Sequence, residues 1–462
     1  MNKEQKLIIL ASIIGLSLMM MNVIVVAIAI PQITSSIPFT SISSHWIINI
    51  YALAMAVAGT VVGKISDIIL SRNIIIIGFI VFAISSIGCI YSETYYYFLL
   101  FRFTQGLSCL MINIPAFKLL TELFTKESLG KALGIVTGSA AIIAAIIPIA
   151  AGMVIQLFSW KGFFFMNIPL CIFSILILMT IKQNKLTNKS LSFDFIGFIF
   201  LTAFLVTFIF SIMEWSHIAA ISIVTLFALS LVFILIFFLI EKYNKHPIVS
   251  LDIFQNKIFS LSLLISSLTH AHSLTSVFWI IYMQKVLFYN SFQSGLLFSP
   301  FYICFAISGF LSGKLLNPEK PKIPLLFGVL ITFAGYFLTV LLLPLQSYIS
   351  ILPVMTLAGL GFCFILNPIR VIVMHSIPPE QRGVAIGLMN NFRHIVSVIM
   401  FSFFSGIISF FSVDNHFNKS IENYSNNFSE GFFWVMAISG LISFSCVILS
   451  IKIVRIVMKK IF

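Results

Sequence analysis

The sequence predicts an all-α membrane protein with fourteen transmembrane helices, and three observations carry that prediction. Hydrophobic residues fill 60% of the 462 positions and charged residues only 9%, whereas soluble domains carry about 25% charged residues. The apolar residues gather into runs of about 20, the length that crosses a hydrocarbon core of about 30 Å. The loops between the runs alternate between rich and poor in Lys and Arg, as expected of a chain that crosses the bilayer repeatedly with its basic loops in the cytoplasm.

In chain order the expected spans are about 7–30, 46–65, 74–91, 95–117, 132–156, 162–181 and 195–213, then about 218–240, 258–282, 292–316, 323–344, 349–371, 384–411 and 432–456. The first is preceded by Lys3 and Lys6 and followed by Ala27-Ile28-Ala29, which imitates a signal-peptidase site. Its run from Leu7 to Val26 exceeds the roughly 7–15 apolar residues of a signal peptide, so it is expected to be a retained span. An even count puts both termini on one side. With that side cytoplasmic, twenty-two of the 27 basic residues fall in cytoplasmic segments. The outer loops hold Lys161, Lys285 and Lys419, and Arg102 and Arg393 lie within spans. The net charge of +13 is therefore a topology signal, and nucleic acid is not an expected partner. Trp46, Trp160, Trp215, Trp279 and Trp434 all fall at expected outer helix ends, where indole rings anchor at the headgroups.

Cys89, Cys109, Cys171, Cys304, Cys363 and Cys446 lie in apolar segments without CxxC or metal-ligand spacing and read as packing residues. No nucleophile–base constellation, phosphate loop or metal spacing occurs, so neither catalysis nor a cofactor is expected.

A repeat divides the chain. Gly63-Lys64 returns as Gly313-Lys314, Asn113 as Asn367, and Gly130–Gly134 as Gly383–Gly387, all at an offset of about 250 residues. Two six-helix halves, 1–181 and 258–462, with a two-helix linker at 182–257, account for it. Parallel halves of this kind are one known transporter architecture.

Several motifs lie on these spans. Arg102-Phe-Thr-Gln105-Gly106 is similar to an RxxQG signature, and Trp160-Lys-Gly-Phe-Phe-Phe-Met-Asn167-Ile-Pro169 to a W-R-W-x-F-x-x-N-x-P helix entry. Gly359-Leu-Gly361, Asn367-Pro368, Pro378-Pro379-Glu380-Gln-Arg382-Gly383 and Asn390-Asn391-Phe-Arg393 follow in the second half. With these the chain resembles the major facilitator superfamily, specifically its fourteen-helix drug:proton antiporter branch. The resemblance implies a 6+2+6 major facilitator fold with cytoplasmic termini in the cell (inner) membrane. It also implies a small-molecule substrate, protons as the coupling ion and a monomer in the lipid bilayer.

The departures from the family pattern bear on mechanism. The loop signature after the second helix survives as Gly63, Asp67 and Arg72, with Leu70 and Ser71 at a glycine and a basic position. These three survivors imply a conformational latch, with an ordinary solvated loop as the alternative. The fifth-helix antiporter signature is reduced to Pro148 and Gly152, with Ile147 and Ala151 where glycines are expected. Asn22 stands at the acidic position of the cation exporters, and an amide carries no proton.

All acidic residues lie in loops or at helix ends, leaving Arg102 and Arg393 as the charges at bilayer depth. Arg102 stands seven residues into its span, roughly 10 Å along a helix. An arginine there costs on the order of 3 kcal/mol and belongs in a protein interior or a watery cavity. A positive interior favours an anionic, zwitterionic or neutral ligand over a cation. The substrate-binding candidates are Arg102, Gln105, Asn22, Asn390, Arg393 and His394; for Arg102, bonding to backbone carbonyls of neighbouring helices is the structural alternative. Asn390, Arg393, His394 and Ser397 share one helix face, which lines a pathway or bonds another helix. Ser262, Ser266, Thr269, Ser273 and Ser276 form a stripe flanked on opposite sides by His270 and His272. Histidine titrates near pH ~6.5, so either His270 or His272 can replace the missing carboxylate as proton carrier, unless it only bonds an adjacent helix.

The expected function is proton-coupled efflux of a small organic compound by alternating access. Uptake or facilitated diffusion of a metabolite and a non-transporting membrane scaffold are the alternatives.

Overall fold

The computed structural model describes residues 3–37, 46–124, 126–181, 194–213, 220–244, 251–315, 322–377, 382–413 and 421–461. Among them every regular element is a helix, the conformation that satisfies each backbone N–H and C=O within its own segment in a solvent that offers no partners.

The chain divides into two units. The first, Met1–Phe193 with Ser291–Leu296, contains α1 (Lys3–Ser36), α2 (Trp46–Ile68), α3 (Ser71–Ile90), α4 (Tyr95–Leu123) and α5 (Lys126–Met179). Helix α4 lies against α2 and α3, and α5 against α1 and α3. The second unit, Asp194–Asn290 with Leu297–Phe462, begins with α6 (Phe195–Met213), α7 (Ala220–Tyr243) and α8 (Lys257–Lys285). It continues through α9 (Ser291–Leu315), whose first six residues belong to the first unit, α10 (Lys322–Leu342), α11 (Tyr348–Pro353), α12 (Gly359–Ser376), α13 (Arg382–Val413) and α14 (Ile421–Ile461). A π-helical turn, Val354–Ala358, joins α11 to α12. The α6–α7 hairpin belongs to this second unit, with α6 against α13.

Among the described residues twelve helices are long and apolar enough to cross a membrane. Helix α2 and the first arm of α5 supply two shorter apolar helices, Trp46–Gly59 and Gly138–Ile147. Within the second unit the spans divide by burial: 81% of the apolar window of α8 is buried against 11% for α7. Helix α8 is therefore a core helix, whereas Ile221, Val224 and Leu235 of α7 face outward with a chemistry suited to lipid.

Helix α5 breaks at Ser159, whose φ of 66° and ψ of 170° lie where residues with a Cβ are strained. The break frees backbone groups on both sides, and Gln32 of α1 takes one from each. Its Nε2 donates to the Ile155 carbonyl at 3.3 Å, and its Oε1 accepts from the Trp160 N–H at 3.2 Å. Trp160 Nε1 donates to Ser36 Oγ at 2.8 Å, closing a strap across the kink. Gln32→Leu unpairs both backbone groups and is expected to lower stability by about 1–3 kcal/mol. Unfolding of the detergent-solubilised protein measures this, and an unchanged midpoint would mean that the strap carries no load.

The strap also corrects the expectation for the tryptophans. Trp160, Trp46 and Trp279 are 1%, 5% and 0% exposed, so they do not anchor at headgroups but fill the units. Trp160 meets Phe98 and Phe164 edge to face at 5.6 and 5.9 Å, a geometry that adds to the area it buries. Trp434 is 46% exposed and suits an interfacial ring; Trp215 lies outside the described residues.

Candidate functional site

Arg102 is fully buried in the first unit. Its Nε donates to the Ile47 carbonyl of α2 at 3.3 Å, Nη1 to Gln105 Oε1 at 2.6 Å, and Nη2 to the Asn22 carbonyl of α1 at 3.1 Å. The ring of Tyr51 lies under the guanidinium, 4.4 Å from Cζ, in cation–π geometry. One side chain on α4 thus ties α1 and α2. None of these partners carries a negative charge, so the Coulomb attraction that usually offsets burial of an ion is missing from the site.

Hydrogen bonds extend the cluster. Gln105, one turn along α4, donates from Nε2 to Ser86 Oγ of α3 at 2.9 Å, and Asn167 Nδ2 of α5 reaches the same hydroxyl at 3.3 Å. Tyr51 Oη lies 2.8 Å from Cys109 Sγ. Asn113 donates from Nδ2 to the Gly15 carbonyl at 3.4 Å. Asn22 donates from Nδ2 to the Leu18 carbonyl at 2.9 Å, while its buried Oδ1 has no protein partner among the described residues. The helices approach closely here because position 106 is glycine: a Cβ on Gly106 would lie 2.4 Å from the Tyr51 carbonyl oxygen and 2.8 Å from Ala54 Cβ.

The second cluster joins α8 and α13. Ser397 Oγ donates to the Arg393 carbonyl at 2.6 Å and lies 2.8 Å from His270 Nδ1. A hydroxyl has one proton, so with Ser397 donating to Arg393, His270 donates from Nδ1. The His394 ring stands edge-on to His270 at 5.3 Å, and Arg393 is 8% exposed. His270 and His272 go to different neighbours: His272 faces α10, its ring 4.9 Å from that of Tyr336.

The structure thus brings Arg102, Gln105 and Asn22 together in the first unit and Arg393, His394 and His270 in the second. Asn390, Gly63, Asp67 and Pro148 have side chains outside the described residues. Arg72 Nη1 donates to the Ile181 carbonyl at 2.6 Å, fastening the start of α3 to the segment after α5, and Lys118 donates to the Ser66 carbonyl. Gly152 lies where α5 meets the start of α9: a Cβ there would be 2.8 Å from both the Ser291 carbonyl oxygen and Phe292 Cα.

Tyr51 and Ser86 belong to the cluster without having been foreseen, and Asn167, noted in the sequence for its helix-entry motif, was not expected to join it. A serine in an apolar run has many uses, and no spacing rule connects residues on α2, α3 and α5. The one available signal was their polarity at bilayer depth, which marks a residue without naming its partner.

A family model described as the Major Facilitator Superfamily matches residues 10–192 and 182–401. The multidrug resistance protein Stp of Mycobacterium tuberculosis is 24% identical over 421 residues, covering 88% of this chain and 77% of the relative. The uncharacterized transporter YebQ of Escherichia coli is 28% identical over 391 residues, covering 83% and 85%. Among solved structures, the POT family transporter PepTSo superposes with a TM-score of 0.68 at 11% identity, covering 98% of this chain and 99% of that one. That likeness is one of fold alone.

Proposed function

Because the chain belongs to the Major Facilitator Superfamily, we propose that it is a proton-coupled exporter of small organic compounds in the fourteen-helix drug:proton antiporter branch. It works by alternating access in the cell membrane as a monomer, with fourteen spans arranged 6+2+6 and both termini cytoplasmic. The segregation of basic residues supports that topology. A relative named for multidrug resistance supports export.

One observation carries the substrate class: Arg102 is fully buried and bonded to neutral groups only. Among the described residues the buried acids, Asp194 and Glu241, sit at helix ends, so the interior at bilayer depth is positive. Such an interior binds anionic, zwitterionic or neutral compounds and repels lipophilic cations. In this structure the Arg102 side chain is closed off, so its contact with substrate belongs to a conformation in which its hold on α1 and α2 opens. Asn22 and Gln105 act with it, and Asn390, Arg393 and His394 are the substrate-binding candidates of the second unit. His270 and His272 are the candidates for the proton carrier, either of which would replace the missing carboxylate. Arg72, with Gly63 and Asp67, latches the cytoplasmic ends, and Pro148 and Gly152 keep the remnant of the antiporter signature.

Uptake or facilitated diffusion is the second possibility, favoured by Ile147 and Ala151 where that signature has glycines. Flux in proteoliposomes decides between them. An imposed pH gradient is expected to drive a panel of anionic and neutral compounds in the direction opposite to proton flow, and flux indifferent to the gradient would exclude exchange. A non-transporting scaffold would show no flux at all. In the same assay His270→Gln and His272→Gln are expected to shift the pH optimum, and an unchanged profile in both would remove histidine from the coupling.

A further inference from the structure

We infer that the second unit contains an internal water-binding site, formed by His272, Trp279 and Thr332, and that His272 is the histidine in contact with exchangeable water. The inference deepens the proton-coupling proposal above and rests on it only for the consequence, not for the site.

A cavity between α8, α10 and α12 is lined by these three residues together with Thr269 and Tyr336, and its space suits about one water molecule. Two of its polar groups are orphans. His272 is 6% exposed and Trp279 0%, yet His272 Nε2 and Trp279 Nε1 have no protein hydrogen-bond partner among the described residues. A buried polar group without a partner is costly, and the usual remedy is a water that makes about three bonds.

The remaining groups define what such a water meets. Thr332 Oγ1 spends its proton on the Gly328 carbonyl at 2.9 Å and is left as an acceptor. Thr275 Oγ1 likewise donates to the His272 carbonyl at 2.7 Å, so the Tyr336 hydroxyl at 3.3 Å donates to Thr275. The indole N–H is a donor only. A water that accepts from Trp279 Nε1 and donates to Thr332 Oγ1 and His272 Nε2 satisfies both orphans. Ala358, the last residue of the π-helical turn, lines the same cavity, and such turns recur at functional sites.

His270 is held differently, its Nδ1 against Ser397 at 2.8 Å. The titratable neighbours of His272 are Tyr336 from α10 and, in the adjoining space, Cys446 from α14. No charged side chain lines either space among the described residues.

Solid-state NMR of the full-length, 15N-histidine-labelled protein in lipid bilayers tests the site, with His270→Gln and His272→Gln assigning the ring nitrogens. Magnetisation is expected to pass from water to the His272 ring at short mixing times, and to fall at least twofold in Thr332→Val while the His270 signal keeps its shift. A His272 ring that receives nothing from water, or one indifferent to Thr332→Val, overturns the proposal. Flux is a separate readout. Proton-coupled transport that survives His272→Gln while the transfer is present would sink the coupling role and leave the water site standing.

Discussion

Arg102→Met is expected to leave the first unit folded and no less stable, while transport falls at least about tenfold, equivalent to roughly 1.4 kcal/mol. Burying an ion costs several kcal/mol even after relaxation, and removing it recovers that cost. Asn22 and Ile47 sit within helices, so their carbonyls keep their main-chain bonds when the guanidinium goes. Gln105 Oε1 loses its donor, a penalty of about 1–3 kcal/mol, which is smaller than the recovered cost. A charge that is neutral or adverse for stability has to be explained by what it does during transport. Thermal unfolding in detergent and flux in proteoliposomes give the two readouts. Full flux would remove Arg102 from the transport machinery, and a loss of several kcal/mol would make it a structural clasp.

Gly106→Val is expected to damage the same site by geometry, with a loss of flux on the order of a hundredfold. At 2.4 Å from the Tyr51 carbonyl oxygen, a Cβ forces α4 away from α2 by about 1 Å, and a displacement of that size can cost about a hundredfold. It also lifts the guanidinium from the Tyr51 ring, now 4.4 Å away, and stretches the Arg102–Ile47 bond of 3.3 Å. Overpacking adds a stability loss of about 1–3 kcal/mol. Gly138→Ala is the control. Nothing lies within 4 Å of a Cβ at Gly138, so stability should hold or rise by up to about 1 kcal/mol. Equal behaviour of the two variants would mean that the α2–α4 contact does not set the site.

Much of the fold was legible because membrane folding imposes one-dimensional rules. The length of an apolar run and the charge of its flanking loops are properties of consecutive residues, so α3, α6 and α8 begin and end within a few residues of their expected limits. Ser159 was not legible, since its left-handed φ depends on the strap from Gln32, which lies far away in the chain. The tryptophans misled for a related reason. Position along a helix says how deep a ring lies, but not whether it points at lipid or at another helix.

The sequence by itself determined that this chain is a helical membrane protein and that Arg102 sits at bilayer depth, because hydrophobicity and charge act on each segment separately. Only the tertiary structure decided that Arg102 holds α1 and α2 by their main-chain carbonyls and that His270 and His272 part company toward α13 and α10. Every residue has a carbonyl, and every helix offers several faces. Which of them meet is set by the packing of the whole bundle and leaves no mark on composition or spacing.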